Sequence, residues 1–230
     1  MLDRTFEYVE GAIVAYVTGS TASAEIISRT AIESAINLLF VLVDDRKGNH
    51  LTQYFAYYFE HEQTEIDGWT KATFNLTGDA KKAHQLATTE KRNRINELRE
   101  ATDFSLSQAG LPTIKSLVKK WPKIWERFKF LGLEVDYGTV YAALCSQTHS
   151  DAEDLLNYFF AATSDNQRLL DEIAVNTVNF SRFMLYFAVK YYVVVAGGYA
   201  IRFELTKALE ALKIGKNVIS QTLEEIAKEL

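Results

Sequence analysis

Two prolines, Pro112 and Pro122, and 11 glycines are spread over 230 residues. A β-sandwich or barrel of this length needs far denser turn punctuation, so the chain is directed toward helices. Apolar residues make up 48% and charged residues 24%, the balance of a globular chain with enough apolar surface for a large core. No Pro-rich, Gly/Ser-rich or single-charge run divides it, and residues 1–230 are expected to form one domain. The fold class that follows is all-α, a single-domain multi-helix bundle of about seven to nine helices with a long late helix.

Cys145 stands alone, which excludes an internal disulfide and any multi-cysteine zinc motif. The start Met1-Leu2-Asp3-Arg4 lacks the basic character of a signal peptide, so a cytoplasmic protein is expected. The stretch from Phe183 to Ile201 is nearly all apolar and long enough to cross a bilayer. Lys190 at its centre, flanking Arg182 and Arg202, and two glycines favour a buried core helix and no membrane.

Helices are predicted over 3–18, closed by Gly19, then from Ser20–Ser23 to Val43, over 50–66 and over 80–104. The stretch from Ala35 to Val43 is apolar on nearly every side except Asn37, which suits a helix surrounded by others. Pro122 should end a short helix over 113–121 and begin another. Asp136 can cap a helix to Thr148, and Ser150 with Glu153 has capping-box spacing. A long helix is expected from about 165 to 196, broken at Gly197-Gly198, with an apolar stripe through Val218, Ile219, Leu223, Ile226 and Leu230 beyond it.

Two polar segments carry the candidate chemistry. Arg29 and Glu33 lie four apart, on roughly the same predicted face as Ile26, Ile32, Ile36 and Phe40. They form either an intrahelical ion pair reaching the surface or a buried polar site, where neither charge is tolerated alone. The segment Tyr141-Ala-Ala-Leu-Cys145-Ser146-Gln-Thr-His149-Ser150 brings hydroxyls and an imidazole to a helix end. His149 can exchange protons near neutral pH; structurally, Ser150 would cap the next helix while His149 bonds a free carbonyl.

Together, Ile-Ser-Arg29-Thr-Ala-Ile-Glu33 and the 141–150 segment resemble an uncharacterised, mainly bacterial family of helical proteins with a domain-of-unknown-function label. Its pattern is an Arg-x-x-x-Glu helix and a Tyr-x-x-x-x-Ser-x-x-His-Ser-like element. The resemblance spans roughly residues 20 to 200. It implies a helical fold and a shared polar cluster of Arg29, Glu33, Tyr141, Ser146, His149 and Ser150, without assigning a reaction. A looser resemblance is to ribonuclease-like helical domains of bacterial defence systems, marked by Arg followed after four to six residues by His. The chain departs from that signature: Arg46 and His50 are separated by three residues only.

No metal is expected. Glu-x-x-His is absent, and the pairs His61/Glu65 and His149/Glu153 are common spacings. No nucleophile elbow frames Ser146 and no Gly-rich phosphate loop occurs, so no cofactor is expected. Charge, by contrast, is polarised: residues 81–129 carry +7, leaving −12 for the rest of the chain. Lys119, Lys120, Lys123 and Arg127 there interleave with Trp121 and Trp125. That mixture suits phosphate contact with base stacking, an acidic protein partner, or a solvated amphipathic helix.

Two functions follow. The first is a non-catalytic interaction module, joining a protein partner or itself in a bacterial defence or regulatory assembly. The second is an RNase-like, phosphodiester- or nucleotide-acting enzyme, with His149 as general acid or base, Arg29 stabilising charge, Glu33 orienting, and Ser146 nearby.

Overall fold

The computed structural model describes residues 1–44, 47–117, 119–148, 156, 159–160, 163 and 166–229; side chains are described except at 146–148, 216, 219–220 and 222–229. Helices α1 (Leu2–Val17), α2 (Thr21–Leu42), α3 (Asn49–Ala72) and α4 (Gly78–Gln108) come first. A 3-10 turn, Ile114–Ser116, precedes α5 (Ile124–Phe130) and α6 (Glu134–Asp136). A π-helical turn, Tyr137–Tyr141, leads into α7 (Ala142–Thr148), followed by α8 (Gln167–Arg202) and α9 (Thr206–Glu229). The fold is all-α, and no strand occurs among the described residues.

The chain gathers into two compact units. The first comprises 1–42 and 123–230, and the second is the intervening 43–122. In the first, α2 is the central element, packed by α1, α5, α7 and α8. Its apolar sequence explains why: Ala31, Ile32, Ala35 and Ile36 are fully buried, with Leu38 and Phe40 nearly so. The face is not quite the one the spacing suggests, because Ile26 is 45% exposed. Phe128, fully buried on α5, meets the rings of Tyr137, Tyr141 and Tyr191 at centroid distances of 5.5, 5.5 and 6.2 Å.

Asn166 caps α8, its side chain accepting from the Leu169 amide at 3.3 Å. The helix does not break at Gly197-Gly198. Both glycines are helical, and Gly198 lies against Leu39 and Leu42 of α2, so packing on α2 supports the helix through them. Termination comes instead just past Phe203, with Glu204 at φ 57°. By length and composition α8 is able to cross a membrane, with mean hydropathy 1.4 over an 18-residue window. Its buried residues include Met184, Leu185, Ala188, Tyr191 and Val195.

In the second unit α3 and α4 pair around Phe59, Ile66, Ile95, Leu106 and Ile114. Lys91 bridges Glu62 and Glu65 at 2.9 and 3.2 Å, and Arg92 reaches Asp67 at 3.4 Å. The two helices run six and four residues past their expected ends. Among the described residues of 113–121 the predicted helix is not formed; Ile114–Ser116 makes a 3-10 turn, anchored by the Ile114 amide to Asp103 Oδ1 at 2.6 Å. Gly48, at φ +69°, takes the left-handed conformation that favours glycine, and a Cβ there would also fall 2.7 Å from the Leu111 side chain, which would have to shift.

Candidate functional site

The two sequence segments meet. Position 29 on α2 faces the π-turn and α7, and the Arg29 side chain crosses that seam while half-buried. Its Nε donates to Cys145 Sγ at 3.2 Å, and a terminal nitrogen donates to the Tyr141 hydroxyl at 3.5 Å. The guanidinium also sits 5.5 Å from the Tyr141 ring centroid. Tyr141, 3% exposed, donates in turn to Glu33 Oε2 at 2.7 Å.

Arg29 and Glu33 make no direct ion pair within 4 Å among the described residues; the Tyr141 hydroxyl stands between them. This is a relay of cation, phenol and carboxylate in which each charge meets a hydrogen-bond partner, the condition for keeping such groups in a partly desolvated seam. Burial first, then the bond to Glu33 and its negative charge, push the Tyr141 phenol well above its ordinary range and keep it protonated. Burial opposes the Arg29 charge, but the bond to Cys145 and the nearness of Tyr141 outweigh it, and the net shift is upward.

Of the remaining members of the cluster, Ser146 lies on α7 with its side chain outside the described residues, and His149 and Ser150 fall outside them altogether. The predicted break near His149 and the capping box at Ser150 also lie outside.

A second polar tie crosses the same unit. Asp136, which the sequence offers as a helix cap, lies within α6, whose N-cap is Leu133. Its Oδ2 accepts from the Tyr191 hydroxyl at 2.6 Å and from Lys190 Nζ at 3.2 Å. Lys190, the charge in the middle of the apolar run, therefore finds a carboxylate, while its ammonium also lies 4.7 Å from the Phe187 ring centroid. Burial first, then the bond to Asp136, raise the Tyr191 phenol as well. The lysine was the sequence signal for this tie; its partner, 54 residues earlier, had none. Deeper still, Ser181 donates to Glu25, both buried on facing helices, a pairing that neither local sequence announces.

The basic segment is shared between the units, with Lys119, Lys120 and Trp121 in the second and Lys123, Trp125 and Arg127 in the first. Lys119, Lys120 and Lys123 are exposed, as is Trp125 at 44%. Arg127 is not a surface cation: it is 5% exposed and donates to Asn37 Oδ1, the one polar position in the core stretch of α2. In the second unit Lys119, Lys120 and Trp121 line a cleft of about 490 Å³ with Tyr57, Glu60 and Arg99. No group of three or more metal-ligating side chains occurs among the described residues; His61 and Glu65 form only an exposed 3.6 Å pair.

No curated protein and no solved structure matches the chain. One family model does, over residues 1–168, which takes in α1 to α7, both halves of the relay and positions 146, 149 and 150, and ends where α8 begins. The chain belongs to this family of unknown function, DUF5677.

Proposed function

We propose that the chain is a non-catalytic helical module that works by binding a protein partner or a second copy of itself, with the Arg29–Tyr141–Glu33 relay holding its architecture. One observation carries this reading: Arg29 Nε and one terminal nitrogen, Cys145 Sγ, the Tyr141 hydroxyl and Glu33 Oε2 are tied into one chain of hydrogen bonds between α2, the π-turn and α7. A catalytic guanidinium must be aimed at charge that develops on a substrate, whereas Arg29 turns Nε to Cys145 and a terminal nitrogen to Tyr141 within the fold. A relay closed across α2, the π-turn and α7 fits a fastening role better. The bacterial defence or regulatory setting rests on the sequence resemblances alone, and the cytoplasmic placement on the lone Cys145 and the amino-terminal residues.

The test pairs stability with turnover. Arg29→Ala and His149→Ala are expected to lower the melting temperature, with partner binding or self-association lost alongside it, and the wild-type chain to hydrolyse neither RNA nor nucleotides. If the wild type does turn them over, and a fully folded His149→Ala variant loses that activity alone, the module reading fails. The phosphodiester- or nucleotide-acting enzyme then takes its place.

A further inference from the structure

The cleft of the second unit has three features that the relay does not use. Its floor is apolar, formed by the buried Phe59, Ile95 and Ile114. Besides Phe59, two aromatic residues line it, Tyr57 and Trp121, and the Trp121 ring packs on Tyr54 at 5.1 Å between centroids, which fixes its position. Three cations line it as well, Arg99, Lys119 and Lys120, against the single acid Glu60.

Those cations differ from their neighbours. Earlier on α4, Lys91 and Arg92 are neutralised by Glu62, Glu65 and Asp67 of α3. Arg99, Lys119 and Lys120 make no ion pair or hydrogen bond among the described residues, so their charge is uncompensated where the cleft opens. An apolar floor with fixed aromatic residues suits a flat ring, and unpaired cations suit phosphate oxygens. A volume of about 490 Å³ lies within the roughly 300–1,000 Å³ of small-ligand sites. Glu60 disfavours a run of acids and offers an acceptor to a base amine or a ribose hydroxyl.

We infer that this cleft binds one phosphorylated nucleoside, either free or as the terminal residue of a single RNA strand. The base lies on the apolar floor beside Trp121, and the phosphates meet Lys119, Lys120 and Arg99. The inference concerns binding only and stands apart from the relay reading, whose test is turnover.

The experiment is calorimetric titration of the full chain with ATP, adenosine, inorganic phosphate and a 5′-phosphorylated single-stranded oligoribonucleotide, with tryptophan fluorescence recorded in parallel. ATP or the oligonucleotide is expected to bind and quench fluorescence, with adenosine and phosphate alone each at least tenfold weaker. The double variant Lys119→Gln/Lys120→Gln should melt as the wild type does, since both side chains are exposed, and bind at least tenfold more weakly. Trp121→Leu should remove most of the quenching. Binding by ATP alone assigns the free nucleotide; oligonucleotide binding that ATP does not displace assigns the strand end. Absence of binding by both at millimolar concentration, equal binding by inorganic phosphate, or undiminished affinity in the lysine double variant overturns the inference.

Discussion

Tyr141 connects two charges that helical spacing alone would pair directly. Removing its hydroxyl in Tyr141→Phe leaves Glu33 without its donor and Arg29 without one acceptor, in a seam where water does not fully replace them. A loss of about 1–3 kcal/mol is expected, read as a shift in the chemical-denaturation midpoint. The phenol also sets an alkaline limit. Tyr141 and Tyr191 are both raised above their ordinary value of about 10, so the native state holds their protons longer than the unfolded chain does. That stabilisation is fully present below about pH 10 and is lost as pH rises toward the native-state values. Denaturation midpoints should therefore fall above about pH 10, and less steeply in Tyr141→Phe; identical slopes in the two proteins would refute this role for Tyr141. Ser28 is the opposite case, fully buried with a hydroxyl that finds no partner among the described residues. Ser28→Ala removes that unmet group and raises helix propensity, so a gain of up to about 1 kcal/mol is expected in the same assay.

Among elements, the π-turn between α6 and α7 is what places two tyrosine–carboxylate ties on one short segment, Asp136 at its start and Tyr141 at its end. Asp136 accepts from a buried phenol and from a partly exposed ammonium, and these contacts are unequal. Asp136→Ala strands the Tyr191 hydroxyl and should cost about 1–3 kcal/mol. Lys190→Ala breaks an ion pair whose lysine is 39% exposed, together with the cation's contact with the Phe187 ring, and should cost about 0.2–1 kcal/mol. Equal losses for both would mean that the ion pair, rather than the phenol bond, fastens α6 to α8. Helix existence was legible at this scale because period and caps are local: α1 and α2 follow their expected ranges closely, and α3, α4 and α8 begin where expected but run four to six residues further. The failures were local rules overridden by packing. Gly197-Gly198 stays helical against α2, and the chain at Pro112 and Ile114 is held by Thr52 and Asp103 in place of the expected helix, Thr52 Oγ1 donating to Pro112 O at 2.8 Å.

At the scale of the whole molecule, the two units differ in what they bury. The first has a core running from Val9 through α2 to Val195, with Phe128 at 0% exposure within it; the second rests, among the described residues, on a cluster of five buried apolar residues, with α3 and α4 otherwise largely wet. Hydrogen exchange should therefore be slowest over residues 31–40 of α2 and faster along α4, and protection of α4 equal to that of α2 would contradict this order. Phe128→Ala should cost about 3–5 kcal/mol in the first unit, the usual penalty for emptying a large buried aromatic site. The all-α class and the central place of α2 were determined by the sequence, because proline scarcity and apolar periodicity act within a few turns of helix; the grouping of Tyr141 with Arg29 and Glu33 was implied by the family resemblance. Tertiary structure alone decided that a phenol separates Arg29 from Glu33, that Asp136 answers Lys190, that Arg127 turns inward to Asn37, and that Lys119 and Lys120 border a cleft with Arg99. Those pairings join residues 20 to more than 100 positions apart, and no local rule of charge or period selects one such partner over another.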